Sequence, residues 1–363
     1  METRNSDIVP FKAVPPGVML KSELEEQGVK QRDFAKRIGM QPSHLSELIN
    51  GKRAITADIA TRIEAALGIP AKFWLDLQNQ YELDIINIAK RSEAEAEAGA
   101  ALGTYDGTIG VREVLDRLFG REAFDFLRDK LDALRRVLNG DSAETVAAYG
   151  CGRFRRSDKV GTDERMVRTW FVIARHRAEQ IRLDKPFDPS ACGDLPERLR
   201  DALNANRDTI REVERILAEY GIKFGVEPKL ERASVDGCSF MTSDGHPCIM
   251  VTDRFDRIDW FAFTVLHELG HVLSGCDLRC GGGILCGKSE ADEREADLFA
   301  TSTLIPDKVW KTAPPFKPSM ADLQSKYTKW AQEAGVNKWI ALGRVSHELN
   351  IYALRSDKSR RIA

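Results

Sequence analysis

Two histidines four residues apart, the first followed directly by a glutamate, lie inside an apolar stretch long enough for one helix. No other feature narrows the folding options of the carboxy-terminal half as much. The residues are His267-Glu268-Leu269-Gly270-His271, in a segment from about Asp256 to Ser274 that also carries Trp260, Phe261, Leu266 and Val272. Residues four apart share one helix face, so both imidazoles reach a single point while the apolar residues bury the helix. The pattern is H-E-x-x-H, in which two imidazoles hold one metal ion and the glutamate faces the same cleft beside a water.

A catalytic zinc takes three protein ligands and keeps a fourth position for water, so a further donor is expected downstream. The next helix begins after Ser289, which can cap it with Asp292 at the reciprocal position, and Pro306 closes it. Within it, Glu293 and Asp297 are four apart, whereas Glu295 is about 200° round the helix from Glu293 at ~100° per residue. Only one of these glutamates can face the metal. Glu293, 22 residues after His271, is the candidate third ligand, because Asp297 then sits one turn on, placed to accept a hydrogen bond from a ligand imidazole. The expected centre is therefore one Zn2+ on His267, His271 and Glu293, with Glu268 as general base. His347, Tyr352 and Tyr327 are oxyanion-donor candidates by residue type alone. Cys276, Cys280 and Cys286 fall between the two ligand-bearing helices among several glycines, and their expected state is three free thiols.

Composition bounds the rest. At 363 residues the chain has room for two or three domains, and 42% hydrophobic with 30% charged residues is ordinary for folded proteins. Fifty-four Lys+Arg against 56 Asp+Glu excludes a uniformly basic nucleic-acid coat, so any DNA contact must be local. No apolar run approaches the roughly 18 residues of a membrane span, and the polar start Met1-Glu2-Thr3-Arg4 does not resemble a signal peptide. Seven cysteines without such a leader fit reduced thiols. The expectation is a cytoplasmic protein with no membrane contact.

The local basic patch lies near the amino terminus. Gly28, Gly39, Gly51 and Gly68 punctuate short helical patterns there, and Thr56 can cap the piece that ends at Gly68-Ile69-Pro70. Residues 31–53 read as two helices around a glycine turn, with Ala35, Ile38, Leu45, Leu48 and Ile49 as shared core. From Gly28 to Arg53 there are six basic residues (Lys30, Arg32, Lys36, Arg37, Lys52, Arg53) and two acidic ones (Asp33, Glu47), a local +4. Pro42 suits the first turn of the second helix. Gln41, Ser43, His44 and Glu47 are then candidate base readers, and Gln31, Lys52 and Arg53 candidate phosphate contacts.

The expected organisation is a helix-turn-helix DNA-binding domain over 1–90, a linker over 91–110 where the sequence turns Ala/Glu-rich and then Gly-rich, a helical region over 111–185, and an α+β domain over 186–363. In the last, a helix is expected from about Leu195 to Tyr220, and strands at Ile222 to Val226, Cys238 to Thr242 and Cys248 to Thr252. The fold class is mainly α with an α+β part.

Residues 15 to 80 resemble the Xre/HigA-type antitoxin family, through SELEEQGVKQRDFAKRIGMQPSHLSELINGKRAIT and ALGIPAKFWLDLQNQYEL. Residues of roughly 190 to 310 resemble ImmA/IrrE-type metallopeptidases, through FTVLHELGHVL and EREADLFATSTLIP, the latter following an E-x-x-A-[N/D]-x-F-A pattern. The two resemblances cover about half the chain; residues 91 to 185 match neither, and the cysteine loop is outside the peptidase pattern. They imply a zincin-like carboxy-terminal domain with zinc on His267, His271 and Glu293 and Glu268 as catalytic glutamate. They also imply a homodimeric regulator of operator double-stranded DNA, whose peptidase cuts itself or a regulatory protein in a stress, phage or toxin-antitoxin response. The rival class is a non-proteolytic repressor or antitoxin whose zinc domain senses a ligand or binds a toxin.

Overall fold

The computed structural model describes residues 9–148, 162–254, 256–275, 289–315, 320–349, 354 and 356–363. Cys276, Cys280, Cys286 and Tyr352 lie outside these residues. The chain divides into two compact units, 1–100 and 101–363.

Five helices form the first unit: α1 (Pro16–Glu26), α2 (Gln31–Arg37), α3 (Pro42–Ile49), α4 (Ala57–Leu67) and α5 (Ala71–Asp106), the last running on past residue 100. Leu20, Leu24, Phe34, Leu45, Leu48, Ile63 and Trp74 form its core. The four punctuating glycines all take positive φ, between 63° and 75°. The turn between α2 and α3 depends on this at Gly39, where a side chain would be strained. Thr56 caps α4 by accepting from the Ile59 amide. No helix among the described residues is long and apolar enough to cross a membrane.

The composition of residues 91–110 predicts a joint, yet α5 is continuous to Asp106. Ala and Glu are strong helix formers, and a lone glycine such as Gly103 costs a helix only about 1 kcal/mol, so the run of good formers wins.

The second unit contains α6 (Val111–Phe119), α7 (Leu127–Val137), α8 (Ala143–Ala148), α9 (Glu164–Gln180), α10 (Leu195–Ala205), α11 (Thr209–Ala218), β1 (Lys223–Glu227), β2 (Gly237–Met241), β3 (Pro247–Thr252), α12 (Ile258–Leu273), α13 (Glu290–Leu304), α14 (Asp307–Trp310), α15 (Met320–Ala334) and α16 (Lys338–Leu349). The single helix expected from Leu195 to Tyr220 is two. Asn206 and Asp208 both take left-handed backbone (φ 44° and 43°) and break it, which Asn and Asp tolerate better than other side chains.

The sheet has the order β1-β3-β2, with β1 parallel and β2 antiparallel to β3. Successive strand residues face opposite sides, and the two faces are covered differently. On one side Phe240 of β2 meets Phe171 of α9 edge-on at 5.3 Å, and Trp170 donates to the Glu227 carbonyl at 3.3 Å. On the other side Phe224 meets Phe261 of α12 at 6.3 Å, and Gly237 and Ser239 face α12. Residues 111–185 therefore supply one layer of this unit through α9 and are not a separate body. The central strand β3 is buried along its whole length, as a strand covered on both faces must be.

Candidate functional site

Helix α12 is buried at nearly every position because it lies between the sheet and α13 and α16. This puts His267, Glu268 and His271 at 1% exposure each. Their partners come from α13, whose start is fixed by a reciprocal capping box between Ser289 and Asp292. The approach of the two helices turns on Gly270. A Cβ there would stand 3.2 Å from the Ala296 Cα and 3.2 Å from the Phe299 ring, so glycine facing alanine lets α13 come close enough to deliver Glu293.

Two imidazole nitrogens and one carboxylate converge. His267 Nε2 and His271 Nε2 are 3.1 Å apart, and each lies 3.4 Å from a Glu293 carboxylate oxygen. Two ligands about 2.05 Å from a tetrahedral zinc stand about 3.3 Å from one another, close to the 3.1 Å between the two nitrogens and to the 3.4 Å from His267 to Oε2 and from His271 to Oε1. Glu293 Oε1 is buried without a hydrogen-bond partner among the described residues, a costly arrangement for protein atoms alone. The donor set fits zinc.

Asp297 Oδ1 lies 2.8 Å from His267 Nδ1. With the proton on Nδ1, this bond leaves the Nε2 lone pair facing the cluster. Burial would raise the Glu293 pKa, but the adjacent His267 and His271 imidazoles outweigh it and hold the carboxyl well below the usual range. Glu295 is exposed on the far side of α13. Glu268 accepts a hydrogen bond from Ser239 Oγ of β2 at 2.9 Å, a contact spanning 29 residues that no local pattern signals. Of the oxyanion-donor candidates, Tyr327 donates to the Pro314 carbonyl at 2.9 Å and His347 is exposed on α16.

In the first unit, Pro42 opens α3 and Gln41 is its N-cap residue, with no side-chain cap bond. Gln31, Gln41, Ser43, Lys52 and Arg53 are exposed, and His44 and Glu47 are half-buried. The start of α3 thus presents polar side chains above the buried Leu45, Leu48 and Ile49. Arg53 Nε lies 3.1 Å from Glu47 Oε2, so these two are paired with each other across the end of α3.

A short helix, a glycine turn and a second helix with a polar, proline-opened first turn define a helix-turn-helix DNA-binding regulator. Residues 20–74 match the family model described as Helix-turn-helix. The uncharacterized HTH-type transcriptional regulator YddM of Escherichia coli (strain K12) is 35% identical over 68 residues, 19% of this chain and 72% of that protein. Antitoxin HigA-1 of Vibrio cholerae is 36% identical over 87 residues, 24% of this chain and 80% of that one. A solved putative antidote protein of a plasmid maintenance system from Nostoc punctiforme is 32% identical, with 23% of this chain and 93% of that chain covered and a TM-score of 0.23. Through this amino-terminal segment the chain belongs to the helix-turn-helix family, and its amino terminus is that of an antitoxin-like DNA-binding regulator.

Proposed function

We propose that the chain is a DNA-binding transcriptional regulator whose second unit is a zinc-dependent peptidase of zincin-like, ImmA/IrrE-like fold, acting on itself or on a regulatory protein partner. The observation that carries this reading is the convergence of His267, His271 and Glu293 at 3.1 to 3.4 Å beside a buried Glu268 that is not one of the three. A structural zinc site is closed by four protein ligands, whereas three ligands, the number found among the described residues, with an adjacent carboxylate are the catalytic pattern.

His267, His271 and Glu293 would hold a zinc ion, which would supply Lewis acidity towards a peptide carbonyl and towards water. Glu268 would take a proton from a water in the cleft as the water oxygen bonds the carbonyl carbon, and pass it to the amine as the C–N bond breaks. Ser239, donating to Oε2 at 2.9 Å, holds the carboxylate's rotamer. Asp297 orients His267. Burial of the site strengthens each of these interactions.

The first unit binds operator double-stranded DNA, with Gln41, Ser43 and His44 at base edges and Gln31 and Lys52 on phosphate; two half-sites call for a homodimer. The Glu47–Arg53 pair makes Arg53 a contact whose reach Glu47 sets. The antitoxin relative supports a second reading, in which the second unit binds a partner toxin and cuts nothing.

Metal content per chain, before and after His267→Ala, tests the centre: one zinc is expected in the intact protein and none in the variant. Incubation of the zinc-loaded chain with and without Glu268→Gln then separates the readings. Cleavage of itself or of a cognate regulator that stops in Glu268→Gln supports the peptidase. Zinc present with no cleavage leaves the toxin-binding regulator.

A further inference from the structure

The second unit carries a cavity of about 790 Å³ built entirely from residues between Leu102 and Lys130, in the stretch that resembles neither family. Neither His267, His271, Glu268 nor Glu293 lines it. Its floor is apolar: Leu102 of α5 with Val111 and Leu115 of α6, all three buried. Phe124 forms one side and meets Phe119 edge-on at 5.4 Å. The loop between α6 and α7 supplies the rest of the wall, and two of its residues there, Gly120 (φ 94°) and Glu122 (φ 66°), take left-handed backbone. For Glu122, which has a side chain, that conformation costs energy.

The charged groups of the wall fall into two sets. Arg112 pairs with Asp116 at 3.4 Å, and Asp106 with Arg165 at 2.7 Å. The side chains of Arg121, Glu122 and Asp125 on the loop, and of Lys130 on α7, make no hydrogen bond or ion pair among the described residues, although Lys130 is half-buried. Two cations and two carboxylates are thus left without partners around one apolar floor. A ligand carrying only negative charge would meet Glu122 and Asp125 as like charges, and one carrying only positive charge would meet Arg121 and Lys130 in the same way. A ligand with one charge of each sign and an apolar body between them suits both pairs. The volume lies in the upper half of the roughly 300 to 1,000 Å³ of small-ligand sites, which is room for more than a single amino acid.

We propose that this cavity binds a short apolar peptide, two or three residues long, through its free termini. The carboxylate pairs with Lys130 and the ammonium with Glu122, with Arg121 and Asp125 at the rim, while aliphatic side chains lie on Leu102, Val111 and Leu115. The site is separate from the metal cluster and stands whether or not the second unit cuts peptides.

The test titrates trileucine into the full chain by calorimetry, beside leucine, trileucine acetylated at its amino terminus and trileucine amidated at its carboxy terminus. Each charge removed should weaken binding about 10-fold, the size of one hydrogen bond to a charged group. Leucine should bind at least about 10-fold more weakly than trileucine for want of apolar contact. Lys130→Met should abolish the advantage of the free carboxylate and keep that of the free ammonium. Gly103→Phe fills the cavity: a Cβ at this lining position meets nothing within 4 Å, and phenylalanine is a better helix former than glycine, so the variant should fold and lose trileucine. His267→Ala, which breaks the metal cluster, should bind trileucine as the unaltered chain does. The proposal is overturned by an absence of trileucine binding, by equal affinity for leucine or for the capped peptides, or by a carboxylate preference that Lys130→Met leaves intact. Binding that survives Gly103→Phe, or that is lost in His267→Ala, overturns it as well.

Discussion

Asp297 makes the cheapest contribution to the candidate centre, since its side chain is 54% exposed and yet it touches His267. Losing it leaves all three donors in place but frees the imidazole to rotate and to change tautomer. Asp297→Ala should weaken zinc binding 10- to 100-fold, as loss of such outer contacts commonly does, with folding unchanged; competition against a chromogenic chelator measures it. An unchanged affinity would remove Asp297 from the centre. A second residue-scale case is Lys223, fully buried in β1, whose Nζ donates to both Asp244 oxygens at 3.0 and 2.8 Å. Burial tends to raise the Asp244 pKa, but bonds from Lys223 and Thr242 outweigh it and bring the pKa from its ordinary 3.8 to about 2. A depressed carboxyl stabilises the fold above its unfolded pKa and stops doing so as pH falls through its folded one. Asp244→Asn should therefore cost most at neutral pH, on the order of 3 kcal/mol for a buried ammonium left without its partner. That difference should shrink between about pH 4 and pH 2. Urea titrations of both chains across this range give the curve, and a difference that does not change with pH would show that the pair is not ionised.

At the scale of elements, the distance between α12 and α13 governs the centre, and Gly270 sets that distance. Gly270→Val places branched carbons where only 3.2 Å is available to the Ala296 backbone. Overpacking of this kind costs about 1 to 3 kcal/mol, and by moving Glu293 it should also lower zinc affinity. Denaturant midpoints and chelator competition should fall together; a loss of stability with unaltered affinity would mean that Glu293 is not a ligand. The same pair of helices shows what a sequence discloses. His267, His271, Glu293 and Asp297 were legible because helical spacing orders side chains within one element, and the capping box at Ser289 marked where the second element starts. The Ser239 contact was not legible, because strand register across 29 residues is set by tertiary packing that no local period encodes. The break at Asn206 was missed because apolar residues continue in helical phase across it, while the decisive backbone choice rests on two residues that are ordinary in helices as well. At 91–106, glycine content suggested a joint, and the helix propensity of the neighbouring Ala and Glu outweighed it.

On the scale of the whole molecule, one apolar cluster of the first unit is built from residues between Leu20 and Trp74, and one of the second unit from residues between Cys192 and Val345. A ligand stabilises only the unit that binds it, by about 4 kcal/mol at a thousandfold excess over its dissociation constant. For a unit of more than 200 residues, that corresponds to roughly 10 °C in the midpoint of thermal unfolding. Calorimetry should therefore resolve two transitions. Removing zinc with a chelator, or His267→Ala, should lower only the one belonging to residues 101–363. Ile63→Ala, which empties a fully buried position of the first core at about 2 to 5 kcal/mol, should lower only the other. A single transition that responds to both changes would mean that the units fold as one, and that metal occupancy reaches the DNA-binding helices through stability. Two independent transitions carry a mechanistic consequence: loss of zinc then leaves α2 and α3 folded, so DNA binding persists in chelator.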